Sequence, residues 1–205
     1  AMRTEPLETG INASCSGAGF AFRKRMDGGY TVTHNHLSVA DITPDSFRLF
    51  TQFLPALLMD WKGLRLRLGK EFLDEARLGR RWALDQVSPF EQVRILSPEP
   101  VNTILDEAAA SLKAHYPAFT SMKIAERWAG AIDATPDAVP IISKVGQLEG
   151  FHLATGFSGH GFGLGPGAGK LMAELVTGET PSVDPSPFRY SRFFDGSNPR
   201  PITGL

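Results

Sequence analysis

The sequence predicts an α+β fold: an antiparallel or mixed sheet with flanking helices, then a C-terminal strand–loop–helix unit belonging to a different layer. Three observations lead there. Short β-prone runs cluster near the start around a hairpin signal, instead of alternating regularly with helices. Two stretches, 43–61 and 98–117, carry helical spacing or helix-forming composition. Near the end, "GFHLAT" runs straight into a segment with glycine at every second position from Gly159 to Gly169, which then becomes an ordinary helical pattern.

Taken in order, "AGFAFRKR" and "GYTVTHN" flank Asp27-Gly28. That dipeptide tolerates the positive φ angles of a tight turn, so antiparallel strands are expected at about 18–25 and 29–34. In "ITPDSFRLFTQFLPALLMDW" Thr43 can cap, Pro44 suits the first helical position and Asp45 favours the positive end of the helix dipole. Phe47, Phe50, Leu54, Leu57, Leu58 and Trp61 repeat at helical spacing, and Pro55 is expected to kink or split the helix. "GLRLRLG" alternates Leu64, Leu66 and Leu68 with Arg65 and Arg67, the pattern of a half-buried strand. A second helix opens near Pro100 and closes before Pro117. "MKIAERWAGAID", "AVPIIS" and "GFHLAT" read as strands, a helix follows from about Gly161 to Gly178, and the proline content beyond Thr180 argues against regular structure.

Composition narrows the function. With 205 residues, 42% of them hydrophobic, the chain fits one large domain or two small ones with a real core. Lys+Arg 21 against Asp+Glu 22 gives a net charge of -1, which argues against nucleic-acid binding. The single cysteine, Cys15, permits neither an intrachain disulfide nor a cysteine-built zinc site. His34 and His36 have the spacing of two ligands on one strand face but no third ligand close in sequence, so no metal is expected. No apolar run approaches the roughly 18 residues of a membrane span, and "AMRTEPLETG" has no signal-like apolar region. A cytoplasmic protein is the expectation.

The glycine stretch carries the functional signal, since each glycine in a helix interior costs about 1 kcal/mol against alanine. A phosphate loop fails, because position 164 is Leu and Lys170 is followed by Leu171. The dinucleotide fingerprint is met only loosely, by Gly163, Gly165 and Ala168. Two readings stand: close packing of the helix on a neighbour, or a ligand brought against backbone. A strand ending at Thr155, a turn of small residues and a helix starting near Gly161 would aim several N–H groups at one point, reinforced by the helix dipole.

"WAGAIDATPDAVPIIS" followed by "ATGFSGHGFGLGPGAGKLMAELVTG" resembles the C-terminal half of the flavin-dependent D-amino-acid oxidase family, which includes glycine and sarcosine oxidases and D-amino-acid dehydrogenases. The family pattern runs roughly W-x-G-x-R-P-x-T-P-D-x-x-P-x-I-G, then T-G-H-x-x-x-G-x-x-x-(A/G)-P, then a helix ending in T-G. The match is specific over 124–178, "VDPSPFRYSRF" fits as a tail, and 11–120 match in element order only. The resemblance implies a substrate-binding sheet domain at 1–148, with a lead-in strand in 1–10, and the last part of an FAD-binding domain with its tail at 149–205. It implies that backbone around Gly156, Phe157, Ser158, Gly159, His160, Gly161 and Phe162 contacts FAD. It further implies oxidation of the C–N bond of a small amine or amino acid by hydride transfer to flavin. The physics agrees, because a helix N-terminus stabilises the negative charge that reduced flavin carries near N1 and O2.

Two departures set further expectations. The family's N-terminal GxGxxG unit has no counterpart here, so the chain is expected to be a C-terminal piece or one chain of a split enzyme. Its partner would be the missing FAD-binding half or a partner subunit, and alone it is expected neither to retain FAD nor to turn over. Apolar surface near 151–155 and 161–177 would then lead the isolated chain to self-associate or to bury that surface in a rearranged core. The second departure is Ile132, which stands where the family often has a carboxylate-binding Arg, with Asp133 in place of the following Pro. Arg25, with Arg23, Arg65 and Arg67, is a candidate replacement, against the reading of a solvated sheet face. Asp133 is a candidate partner for a substrate amine, and His160 can tune the flavin edge or simply pack. The competing function is a non-catalytic binding or interaction domain in which the glycine helix serves packing alone.

Overall fold

A computed structural model of the chain describes residues 1–201. In chain order the strands are β1 (Met2–Thr4), β2 (Cys15–Gly17), β3 (Phe20–Lys24), β4 (Tyr30–Thr33), β5 (Ser38–Asp41), β6 (Leu64–Arg67), β7 (Ile124–Arg127), β8 (Ile141–Lys144) and β9 (His152–Thr155). The helices are α1 (Pro44–Arg48), α2 (Phe50–Met59), α3 (Lys70–Arg77), α4 (Pro89–Gln92), α5 (Asn102–His115) and α6 (Gly161–Thr177). This is the mixed α+β architecture that the sequence predicts. The chain divides into two compact units, one built from Ala1–Val39 and Leu78–Ala131, the other from Ala40–Arg77 and the residues from Ile132 onward.

The first unit is a five-stranded sheet in the order β2-β3-β4-β1-β7, antiparallel at every pairing. Its β3–β4 hairpin turns at Asp27-Gly28, where Arg25 N–H donates to Gly29 O (2.8 Å) and Gly29 N–H donates to Asp27 Oδ1 (3.0 Å). The Arg25 guanidinium reaches the same carboxylate (3.1 Å). The opening segment is a central strand: β1 lies between β4 and β7, with Met2 fully buried. Alternate residues Phe20, Phe22, Tyr30 and Val32 face α5, which presents Leu105, Ala108 and Leu112. Phe119 closes the cluster, its ring centroid 4.8 Å from Tyr30 and 5.0 Å from Phe22. Aromatic residues of that size dominate a core of this kind.

Within 40–77 the predicted long helix is broken, but at Leu49 and not at Pro55. The Leu49 N–H ends α1 on Asp45 O, and its carbonyl then accepts from Gln52 and Phe53 to start α2, which carries Pro55 in its interior. β6 forms where the alternation predicts and pairs with β5, yet Leu66 and Leu68 are exposed, so the half-buried face is not realised. Helices α3 and α4 lack the long apolar periodicity from which sequence reading detects a helix.

In the second unit β8 and β9 pair antiparallel, Ile141 opposite Thr155 and Lys144 opposite His152. Helix α6 packs Ala168 and Leu171 on Ile142 of β8, with Phe157, Met172, Leu175 and Phe188 around them. Gly178, at φ +75°, terminates α6 in the left-handed conformation that glycine adopts without strain. Beyond it, 3₁₀ turns at Ser186–Phe188 and Tyr190–Phe193 are the regular structure among the described residues of the tail.

Candidate cofactor site

β9 delivers the chain to Thr155, and α6 leaves it at Gly161; the five residues between form a tight, heavily bonded turn. Gly156 N–H donates to Asp133 Oδ2 (2.6 Å), and Thr155 Oγ1 donates to the same oxygen (2.5 Å). Ser158 N–H donates to the Asp133 carbonyl (2.9 Å). The Ser158 hydroxyl is buried; it accepts from Thr135 N–H (3.2 Å) and donates to Gly156 O (3.2 Å). Ser158 itself sits at φ +48°, a strained conformation for a non-glycine residue that persists only where its surroundings hold it. His160 then precedes α6 without capping it through its side chain. The N–H groups of Gly161, Phe162 and Gly163 therefore lack intrahelical partners, at the end of the helix where the dipole is positive.

The glycines of this segment divide by what a β-carbon would meet. At Gly156, φ +73°, it would fall onto Thr135 Cγ2, so glycine is required by close approach within the chain. At Gly161 it would press on Phe157 Cβ at 3.3 Å. At Gly163, Gly165, Gly167 and Gly169 a β-carbon would meet no described atom within 4 Å beyond the adjoining residues and the backbone of its own helix, and φ is not positive. Alanine at these four positions would stabilise the isolated helix by roughly 3–4 kcal/mol in total, and no contact among the described residues offsets that loss. Gly161, Gly165, Gly169 and Ala173 recur every fourth residue, a smooth ridge along one flank.

The other site residues fall as follows. Phe157 joins the α6 core cluster, whereas His160 is exposed and Phe162 is fully exposed. Ile132 is exposed, at the start of the segment that leads to Asp133. Asp133 has its Oδ2 committed to the turn, which gives it a structural task beside the substrate role expected of it. Arg25, in the other unit, is bound to Asp27 and to Thr31 Oγ1 (3.4 Å), holding its hairpin. Arg67 is likewise committed, to both oxygens of Asp41. Sequence reading gave no role to Thr135, Asp137 or Arg192, whose side chains form the buried polar cluster beneath the turn. A cavity of about 560 Å³ in this unit, lined among others by Ile142, His152, Leu175, Tyr190 and Phe194, includes no residue of 156–162.

One carboxylate fastens the tail to α6 and another folds the tail on itself. Glu174, almost fully buried, accepts from Ser182 N–H (2.8 Å) and Ser182 Oγ (3.1 Å), and the Ser182 N–H holds its carboxyl below the usual range. Asp195 is pulled down to about 2, first by the Ser197 hydroxyl and then by the Arg189 guanidinium.

Residues 9–175 match the family model described as FAD dependent oxidoreductase, the DAO family. The chain belongs to that family. Among FAD dependent oxidoreductases, the glycine oxidase of Pseudomonas aeruginosa is 34% identical over 90 residues, 42% of this chain and 25% of that protein. The solved L-amino acid deaminase from Proteus vulgaris superimposes with a TM-score of 0.86 at 32% identity, covering 94% of this chain and 44% of that one. The L-amino acid deaminase from Proteus myxofaciens, solved in complex with anthranilate, gives 0.87 at 30%, with 94% and 43% covered. The chain thus spans a quarter to under half of the length of these relatives. The residues at the start of α6 fit the family's cofactor: open N–H donors suit an anionic or electron-rich edge, and a helix flank free of side chains admits a flat ring. No helix among the described residues is long and apolar enough to cross a membrane.

Proposed function

We propose that this chain supplies the substrate-side sheet and the final FAD-contacting unit of an oxidoreductase that oxidises the C–N bond of an amino acid or related amine. In this reading 1–148 serve the substrate and 149–205 complete the cofactor domain, with β8 lending β9 its partner strand. Bound FAD supplies the hydride acceptor. The chain's own part is preorganisation: the N–H groups of Gly161, Phe162 and Gly163 present positive potential at a fixed place, while Asp133 and Ser158 hold the turn that aims them. The ridge of Gly161, Gly165, Gly169 and Ala173 offers a smooth face to a dinucleotide-binding segment supplied from upstream or by a second chain. The observation that carries this reading is the row of glycines from 163 to 169 whose missing side chains nothing among the described residues exploits. A helix packed only within its own unit would gain by alanine there. Position 132 is Ile, and Arg25 and Arg67 are held by Asp27 and Asp41, so in this reading an amino-acid carboxylate is met by another group.

The test is to purify the chain alone and co-expressed with its upstream FAD-binding half. The joined protein is expected to carry one flavin and to lose its yellow colour anaerobically with a mixture of amino acids; the chain alone is expected to be colourless. A joined protein without flavin would overturn the cofactor assignment. Stoichiometric flavin in the chain alone would overturn the division of the site.

A further inference from the structure

Arg192 and Asp137 are each only 3% exposed and are bound to one another through two parallel hydrogen bonds, Nε to Oδ2 at 2.7 Å and Nη2 to Oδ1 at 3.0 Å. They are 55 residues apart in sequence. The same guanidinium donates to Val139 O (2.6 Å) and, through Nη1, to Arg189 O (2.9 Å). Val139 O also accepts from Thr135 Oγ1 (2.9 Å), and Thr135 N–H donates to Ser158 Oγ (3.2 Å). A continuous line of hydrogen bonds, buried at the Arg192–Asp137 pair and at Ser158, therefore joins the tail to the 135–139 turn and the turn to the glycine loop. Two non-glycine residues with left-handed backbone lie along it, Ala138 in the 135–139 turn at φ +58° and Ser158 in the glycine loop at φ +48°. Such conformations need surroundings that over-determine them.

From this arrangement we propose that Arg192, held in place by Asp137, is a positioning residue for the cofactor loop, acting through the Val139 carbonyl and Thr135 to fix Ser158 and with it the fan of N–H groups at the start of α6. The proposal rests on the reading of that loop as an FAD contact. A buried ion pair is a poor device for stability alone, because apolar residues of similar volume serve as well or better. What the pair supplies is geometry. The planar fork satisfies both Asp137 oxygens and two backbone carbonyls at once, which the single ammonium of lysine cannot do. The tail thereby determines the shape of a loop that it does not cover.

The experiment compares Arg192→Lys, Arg192→Met and the double variant Asp137→Leu/Arg192→Met in the complete protein. Its readouts are the FAD-free unfolding midpoint, FAD-free amide exchange across 155–163, and FAD titration. Arg192→Met is expected to lower the midpoint by leaving Asp137 buried and unpaired, and the double variant to restore it. In the double variant and in Arg192→Lys, loop amides are still expected to exchange at least about tenfold faster than wild type, and FAD to bind at least about tenfold more weakly. If the double variant recovers loop exchange and FAD affinity together with its midpoint, the pair is merely structural and the proposal falls. Wild-type exchange in Arg192→Lys overturns it equally. Should the wild-type protein bind no FAD, the functional reading fails by that titration, while loop exchange still decides whether Arg192 sets the loop.

Discussion

At Gly156 an added β-carbon would meet Thr135 Cγ2 on a backbone already at φ +73°, whereas at Gly163 it would meet open space. The two positions therefore respond oppositely to the same substitution. Gly156→Ala should destabilise the FAD-free protein by about 1–3 kcal/mol through overpacking and backbone strain. Gly163→Ala should raise the FAD-free unfolding midpoint, gaining roughly 0.5–1 kcal/mol of helix propensity, and weaken FAD binding about tenfold or more, close to 1.4 kcal/mol. Urea unfolding of the FAD-free protein, paired with FAD titration, reads both. Full FAD affinity in Gly163→Ala would return the glycines to a packing role. Sequence alone made the stretch conspicuous but could not sort it, because Gly156 and Gly163 look alike until Thr135 is placed 21 residues upstream against one of them. Asp133 was equally ambiguous: a carboxylate in place of the family's proline suggests a substrate contact, and only the fold shows Thr155 and Gly156 bonded to it.

At the scale of elements, α6 was legible from end to end because its signals are local: a strand, a small-residue turn, an apolar stripe and a terminal Gly178. The β3–β4 hairpin was legible for the same reason. The break at Leu49 was not, since Pro55 is the only local breaker in that stretch and the helix tolerates it. The exposure of Leu66 and Leu68 was not, since alternation fixes which side chains share a face but not whether anything covers it. Attachment of the tail to α6 also lies beyond local reading, and it carries a pH dependence. Glu174 and Asp195 titrate below their ordinary values of 4.5 and 3.8 in the folded protein, Asp195 near 2. Their contribution is complete above those ordinary values and is lost as the pH falls through the folded ones. The Ser182 contact on α6 and the Asp195 turn within the tail should stay formed from pH 8 to 5, and each should loosen from about pH 4.5 toward 2 as its carboxylate is protonated. NMR titration of the Ser182 and Ser197 amides follows this; loosening on raising the pH from 5 to 8 would contradict it.

For the molecule as a whole, the two units hold different kinds of information. The five-stranded unit owes its form to an aromatic core that any soluble sheet domain could share, and its sequence gave the α+β class and little about chemistry. The unit that ends in α6 carries the specific motif, and the family match over 9–175 accords with the resemblance read from 124–178. Exposed apolar side chains remain on α6, Phe162, Leu164 and Val176 among them, on the same helix as the ridge of small residues. Such a surface suits a further layer of protein and a cofactor between them. The central claim is that FAD lies against the start of α6, and its most direct test is amide hydrogen exchange of the complete protein with and without FAD. The account predicts that FAD slows exchange across 156–165 at least about tenfold, more than the loss of global unfolding alone would give to β3, β4 and α5. Bound FAD that leaves 156–165 exchanging at the FAD-free rate would contradict it.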